Sequence, residues 1–213
     1  MSVKMSKSTK DKLIKASIIL FAQNDIDSIS VQKINDAAGV ANKSALYYHF
    51  KSRWGLVEAS LNHVLDPYVF ESMILLKALD PDQASVANVV DALMKPMIKI
   101  LLSEHGYYEL KFFARMISAG DEGRKLVSEK LASVAILSTK ILSKILPEAD
   151  PDTLSMKILF TFNSILNIMS DHGLERFWPT EVKDHKAIGL YIRDYIIGGI
   201  SYNHNITYLK NKI

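Results

Sequence analysis

The chain has no cysteine among its 213 residues. That excludes a disulfide, a thiolate nucleophile and a cysteine-ligated metal. No apolar run is long enough to span a bilayer. The basic opening MSVKMSKSTK is not followed by an apolar run of signal-peptide type before Asp11. The expectation is a soluble, cytoplasmic protein with no membrane partner. Prolines are few, six in all, and alternating strand patterns are missing, so almost every segment reads as helix. No phosphate-binding glycine loop is present, since "IIGGIS" lacks the required lysine and spacing, and there is no H-E-x-x-H. The segment "DHGLERFWPTEVKDH" holds His172, Glu175, Glu181, Asp184 and His185. They follow no familiar ligand spacing and read as solvated loop charges. The sequence therefore points to no enzyme, no cofactor and no metal.

What is present is a large apolar fraction, 48% of residues, on a chain long enough to bury a core without staples. Length alone allows one or two domains. The net charge of +3 is unevenly spread. Residues 1–53 carry nine Lys and Arg against four Asp and no Glu, a net of +5, and the remainder carries 17 against 19, a net of −2. A basic head on a mildly acidic body suits a polyanion partner for the head. An ordinary solvated lysine-rich terminus would give the same charge count.

The head divides into short helices. Leu13, Ile14, Ala16, Leu20 and Phe21 recur at helical spacing in a first helix from Ser8 or Thr9 to Gln23. Ser30 suits the N-cap of a second helix running to Ala38, and Gly39 suits the left-handed residue that ends it. Asn42 is positioned to cap a third helix over Lys43 to Phe50, and Ser52 a longer one from Arg53. Residues 30–50 thus read as helix, glycine turn, helix, the pattern whose second helix lies in a DNA major groove. Projection of that helix at ~100° per residue puts Lys43, Ser44, Tyr47 and Tyr48 on one face. Ala45, Leu46 and His49 point largely the other way, toward Ile34, Ala38 and the first helix. The outward face is all hydrogen-bonding or positive, which suits phosphates and base edges.

The ordered set "ASIILFAQND", "SVQKINDAAGV" and "LYYHFKSRWGLVEA" resembles the TetR (tetracycline-repressor-like) transcriptional regulators over roughly residues 9–60. Three departures stand out. Asp25 replaces a usual glycine, Asn35 replaces a usual alanine, and the stretch from Gly39 to Leu46 has one residue more than the commonest spacing. The resemblance implies that Tyr47 and His49 hold phosphates and that Lys43, Ser44, Ala45 and Tyr48 face the groove. It also implies that Lys51 and Arg53 anchor the DNA backbone, and that Ser30 and Lys33 touch phosphate. The inward projection of His49 leaves open a buried histidine that holds the helix pair together.

Beyond Arg53 the chain stays helical. Pro67 either kinks the fourth helix or opens a new one, and Pro96 lies inside a helix from Ser85 to Ser103. A helix from Asp121 to Leu146 follows. Two very apolar helices close the chain, near Pro151 to Phe177 and Thr180 to Tyr202. Ile188, Tyr191, Ile192, Tyr195 and Ile196 form a broad stripe on the last one, and Gly198 and Gly199 allow close packing. A buried internal pair would explain this apolarity. The resemblance implies instead a symmetric four-helix interface of a homodimer. It also implies an effector pocket for a small hydrophobic or amphipathic molecule. The candidates are His105, Tyr108, Phe112, Arg115 and Met116, with a second set of Phe160, Asn163, Asn167 and Met169. An apolar cavity with a few polar groups fits such a ligand, although an aromatic and methionine stripe also fits plain core.

The resulting expectation is an all-α protein. An N-terminal three-helix helix-turn-helix DNA-binding domain occupies residues 1–53, and a helical ligand-binding and dimerisation domain residues 54–213. Its partners are a double-stranded DNA operator, a second copy and a small effector, with repression relieved by the effector. The alternative is a DNA-binding interaction or architectural protein of the same fold that takes no ligand.

Overall fold

A computed structural model describes residues 8–170, 177–180 and 187–202. Lys4 and Lys7 of the basic opening lie outside the described residues. So do His172, Glu175, Glu181, Asp184 and His185. Among the described residues there are nine α-helices and no strand. None of these helices is long and apolar enough to cross a membrane.

Four helices follow one another at the N-terminal end. α1 spans Thr9–Gln23, α2 Val31–Ala37, α3 Ala45–Phe50 and α4 Arg53–Lys77. Their ends are set by local chemistry. Ser8 caps α1 by accepting from the Asp11 N–H at 3.2 Å, and its hydroxyl donates to the Asp11 carboxylate, which holds that carboxyl below its ordinary value. Ser30 caps α2 by accepting from the Lys33 N–H at 3.1 Å. Gly39 follows at φ +63°, a conformation that a β-carbon would disfavour. Ser52 caps α4 by accepting from the Gly55 N–H at 2.9 Å. A side chain at Gly55 is impossible without rearrangement, since a β-carbon there would lie 2.1 Å from the Phe50 carbonyl. The close approach folds the start of α4 back onto the end of α3.

α3 differs from its expected extent. It begins at Ala45 rather than Lys43. Asn42 does cap, but it closes a turn ahead of the helix. Its Oδ1 accepts from the Ser44 N–H at 2.9 Å, and its carbonyl accepts from Ala45 at 3.1 Å. Lys43 and Ser44 therefore sit in the turn.

The remaining helices are α5 (Val86–Leu101), α6 (Gly106–Ser118), α7 (Gly120–Ile145), α8 (Pro151–Ser170) and α9 (Ile188–Ser201). α4 runs through Pro67 without ending, and α5 through Pro96. α8 was expected to reach Phe177 and α9 to begin at Thr180. Phe177 and Thr180 are not α-helical, α9 starts at Ile188, and residues 171–176 and 181–186 lie outside the described residues.

The chain forms two compact units. The first contains the chain through Phe70 together with Ile98–Leu131, and the second contains Glu71–Met97 and Ala132–Ile168 with the chain around α9. In the first, α1 packs along α6 and also meets α2 and α3. Leu13, Phe21, Ile34, Leu46, Leu56, Leu110 and Phe112 are fully buried there. Phe21 and Phe112 stack with ring centroids 5.9 Å apart. The hydroxyls of Ser17 and Ser60, both buried, lie 2.7 Å apart and tie α1 to α4. In the second unit, Val89, Leu93, Val134, Leu142, Leu154, Ile165 and Ile196 form the core.

Candidate nucleic-acid interface

α3 has three inward anchors, Ala45, Leu46 and Phe50, all buried. Burying these side chains is worth about 1.5–3 kcal/mol for a residue the size of leucine, so the helix has one stable way to lie. Its other face is thereby turned outward. Tyr48 is 77% exposed and Tyr47 53% exposed, and Lys43 and Ser44 are exposed in the turn that leads into the helix. Two large aromatics left in water beside a cation match a surface made for a polar partner. His49 is half-buried and meets the Tyr48 ring edge-on, with centroids 5.0 Å apart.

Ala45 is 4% exposed. It packs with Leu46 and Phe50 and only borders the trough between α1 and α3, so little of its methyl is left for the groove-facing role that the family resemblance implies. Lys51, exposed, holds φ +67°, the only non-glycine at positive φ among the described residues. Such a backbone is strained for a side chain, and here it falls at the junction of α3 and α4. Ser30 and Lys33 are exposed at the first turn of α2, where the Ser30 hydroxyl is already engaged as the cap.

Arg53 is placed differently from the expected backbone anchor. It is bound within the chain, with Nη1 donating to the Asp27 carbonyl at 3.2 Å and Nη2 3.8 Å from the Asp27 carboxylate. The guanidinium fastens the short 3-10 turn Ile26–Ser28 to the start of α4.

Local pattern also missed two residues. Thr9 and Lys12 border a polar trough of about 400 Å³ with Gly39, Asn42, Tyr48 and His49. In the sequence, Lys12 only lies off the apolar stripe of Leu13, Ile14, Ala16, Leu20 and Phe21 on α1. That position was the available signal, because a cation off the stripe has to point away from the core.

The expected effector residues separate into two groups. In the first unit, Phe112 and Met116 are fully buried, and Tyr108 and His105 are half-buried near the start of α6. Phe112 is committed to Phe21. Arg115 is committed as well: its Nε donates to the Ala22 carbonyl at 2.9 Å, and its Nη1 lies 3.4 Å from Asp25. It is the partner of the residue that stands where a glycine was expected. Met169, at the end of α8, is buried as well and belongs to the first unit, whereas the rest of its set lies in the second. Phe160, 59% exposed, Asn163 and Asn167 border open grooves between α8 and α9 instead of an enclosed cavity. The larger groove, about 490 Å³, also takes in Tyr191, Ile192 and Tyr195.

The stripe on α9 splits in two. Ile192, Ile196 and Ile200 are buried, whereas Leu190, Tyr191 and Tyr195 are 65%, 59% and 73% exposed. α8 likewise exposes Met156 and Leu159. Gly198 and Gly199 have open space where a side chain would be. Polar groups add to what the buried isoleucines of α9 hold. Arg193 grips Asp91 of α5 with two hydrogen bonds, 2.6 and 3.2 Å. That contact lowers the Asp91 carboxyl below its ordinary value and raises the Arg193 guanidinium. Lys157 of α8 donates to the carbonyls of Ile200 and Tyr202 at the end of α9, and partial burial lowers its ammonium pKa.

Residues 13–60 match the family model described as bacterial regulatory proteins, tetR family, and residues 91–199 match that of the tetracyclin repressor-like C-terminal domain. A protein of Bacillus subtilis (strain 168), "Probable HTH-type transcriptional regulator YttP", is 28% identical over 111 residues, 51% of this chain and 50% of that protein. The chain thus matches about half the length of that curated relative. Among solved structures, the fatty acid degradation regulator FadR from Bacillus halodurans shares the fold with a TM-score of 0.66 at 16% identity, over 94% of this chain and all of that one. AibR, in complex with isovaleryl coenzyme A and operator DNA, does so with a TM-score of 0.63 at 15% identity, over 90% of this chain and 97% of that one. With family models matching both its head and most of its body, the chain belongs to the tetR family of bacterial regulatory proteins, which are transcriptional regulators and not enzymes.

Proposed function

We propose that the protein is a homodimeric repressor that reads an operator with α3 and releases it when a hydrophobic or amphipathic small molecule binds. The observation that carries the DNA reading is the outward face of α3. Tyr47 and Tyr48 stand exposed beside Lys43 and Ser44, while Ala45, Leu46 and Phe50 take all the packing. Lys43, Ser44 and Tyr48 address base edges. Tyr47, His49, Lys51, Lys33, Ser30 and Lys12 hold the sugar-phosphate backbone. Phosphate contacts add affinity without sequence information and make it fall with salt. Arg53 serves the head from inside through Asp27.

The second copy docks on the outer faces of α8 and α9. Exposed Leu190, Tyr191, Tyr195, Met156, Leu159 and Phe160 leave an apolar surface that water disfavours. Gly198 and Gly199 leave room for another helix. Phe160, Asn163 and Asn167 belong to this face, and the effector is left to the α6 side near His105 and Tyr108. A dimer sets its two recognition helices about one DNA turn apart, ~34 Å, or at a multiple of it.

Residues 1–53 form the DNA-reading part and residues 54–213 the regulating part, with α6 physically linked to α1 through Phe112 and Arg115. An effector that shifts α6 acts on α1, and so on the spacing of the two heads. It must prefer the mis-spaced state, since equal affinity for both states shifts nothing. The names of two structural neighbours, a fatty acid degradation regulator and a protein bound to isovaleryl coenzyme A, make acyl compounds the first class to screen. The test is a thermal-shift screen followed by operator binding with each hit. A true effector at 100 times its Kd raises stability by about 2.7 kcal/mol and weakens operator binding. If no acyl or other amphipathic compound does both, the ligand-free interaction protein becomes the better reading.

A further inference from the structure

Asn35 is 1% exposed, in the middle of the head, at a position where the resembling family usually has alanine. Its backbone carbonyl accepts from the Val40 N–H at 2.9 Å, just after Gly39. Its side-chain Nδ2 donates to the Lys43 carbonyl at 3.2 Å. One residue therefore holds both the entry and the exit of the turn between α2 and α3. Its Oδ1 is buried and has no partner. An unpaired buried acceptor is unfavourable, and alanine would avoid it. Packing therefore does not account for the amide, and the contact it does make, to Lys43, does.

The turn it holds is the one with the additional residue. The backbone bonds of Gly39 to Asp36 and of Val40 to Asn35 tie only its near end to α2, and at its far end the other bonds are short-range: Asn42 Oδ1 accepts from Ser44, and the Asn42 carbonyl accepts from Ala45. These last shape the turn but do not fix its far end to α2. The Asn35 amide does, and the residue it grasps is the one whose side chain leads the exposed face.

We propose that Asn35 is a positioning residue for sequence reading: its amide fixes the backbone at Lys43, and so the register in which Lys43, Ser44 and α3 meet the bases. The proposal rests on the reading of α3 as the DNA-recognition helix. Asn35 is too buried to touch DNA, so its effect passes entirely through the turn. A loosened turn lets Lys43 and Ser44 reach neighbouring positions, which relaxes discrimination while the phosphate contacts stay in place.

The experiment uses the full chain and a duplex that the wild-type protein selects from a randomised pool. Binding to that duplex, to its single-base variants and to unrelated DNA is measured at several salt concentrations for wild type, Asn35→Ala and Asn35→Ser. The serine hydroxyl is too short to reach Lys43. The expected result is a preference for the selected duplex narrowed roughly tenfold in both variants. Affinity for unrelated DNA, the salt slope and the thermal midpoint are maintained, and the midpoint of Asn35→Ala rises if anything because the orphan oxygen is gone. A purely structural role would lower the midpoint and weaken all duplexes alike, and that outcome overturns the proposal, as does undiminished discrimination. If wild type selects no duplex, the DNA reading falls and this inference with it; if it selects one and both variants discriminate as well, only the inference falls.

Discussion

Arg115 of α6 donates from Nε to the carbonyl of Ala22 in the last turn of α1, across 2.9 Å. The two residues are 93 positions apart in the chain. The contact lies beside the Phe21–Phe112 stack, so one helix of the head and one helix beyond it are joined by both packing and a charged hydrogen bond. Asp25 adds an ion pair at 3.4 Å, but its side chain is almost fully exposed, and such pairs contribute little.

Arg115→Met keeps the aliphatic contact and removes the donor. A hydrogen bond from a charged group is worth about 1.5–3 kcal/mol when buried. Arg115 is about a third exposed, so the expected loss is about 1 kcal/mol, against little for Asp25→Asn. Operator binding is expected to survive, and relief by effector to weaken. Chemical denaturation together with operator binding with and without effector checks this, and an unaltered effector response in Arg115→Met would contradict the coupling role.

Lys51→Gly separates strain from function. A glycine at φ +67° relieves backbone strain on the order of 1 kcal/mol. The same change removes an ammonium expected to lie on a phosphate. The variant is therefore predicted to melt higher and bind DNA more weakly, with the salt slope flatter by about one unit. Melting curves and a salt series read both effects. Tighter or equal binding would remove Lys51 from the interface.

The Asp91–Arg193 pair predicts an acid-dependent contribution to stability. The folded carboxyl titrates below its ordinary value of 3.8, first because of the Arg193 hydrogen bond. A depressed carboxyl stabilises the fold at pH above its unfolded value and loses that stabilisation as pH falls through the folded one. The stability gap between wild type and Asp91→Asn is therefore expected to be full near neutrality and to close below a pH of about 3.8. A gap that widens on acidification would contradict the sign.

Much of the head was legible because its signals are local. Ser8, Ser30, Gly39 and Ser52 each act within three or four residues, and they mark ends that hydrogen-bond geometry then fixes. The start of α3 was not legible, because Asn42 closes a turn first and Asn35 takes the Lys43 carbonyl from eight residues away. The fates of Arg115 and Arg53 were equally hidden. Their partners come from distant segments, and a charge on a helix carries no mark of whom it meets. On α9, Ile192 and Tyr195 looked alike as members of one apolar stripe. Only the packing against the rest of the unit separates the buried isoleucines from the exposed tyrosines.

That separation changes which residues test the dimer. Charges at Ile192 or Ile196, each no more than 5% exposed, are expected to break the fold of a single chain. Tyr191→Asp with Tyr195→Asp touches only the outer face. The double variant is predicted to stay helical and become monomeric by light scattering, with operator affinity lost. A folded double variant of dimer mass would move the interface elsewhere.

The central claim, that α3 reads DNA on behalf of a dimer, is tested most directly by selecting duplexes from a randomised pool with the full-length protein and sequencing what it retains. The account predicts an inverted repeat whose half-site centres lie about one helical turn, ~34 Å, or a multiple of it apart, with enrichment abolished by Tyr48→Ala combined with Lys43→Ala. Retention of no preferred sequence, or of the same sequence by the double variant, would contradict it.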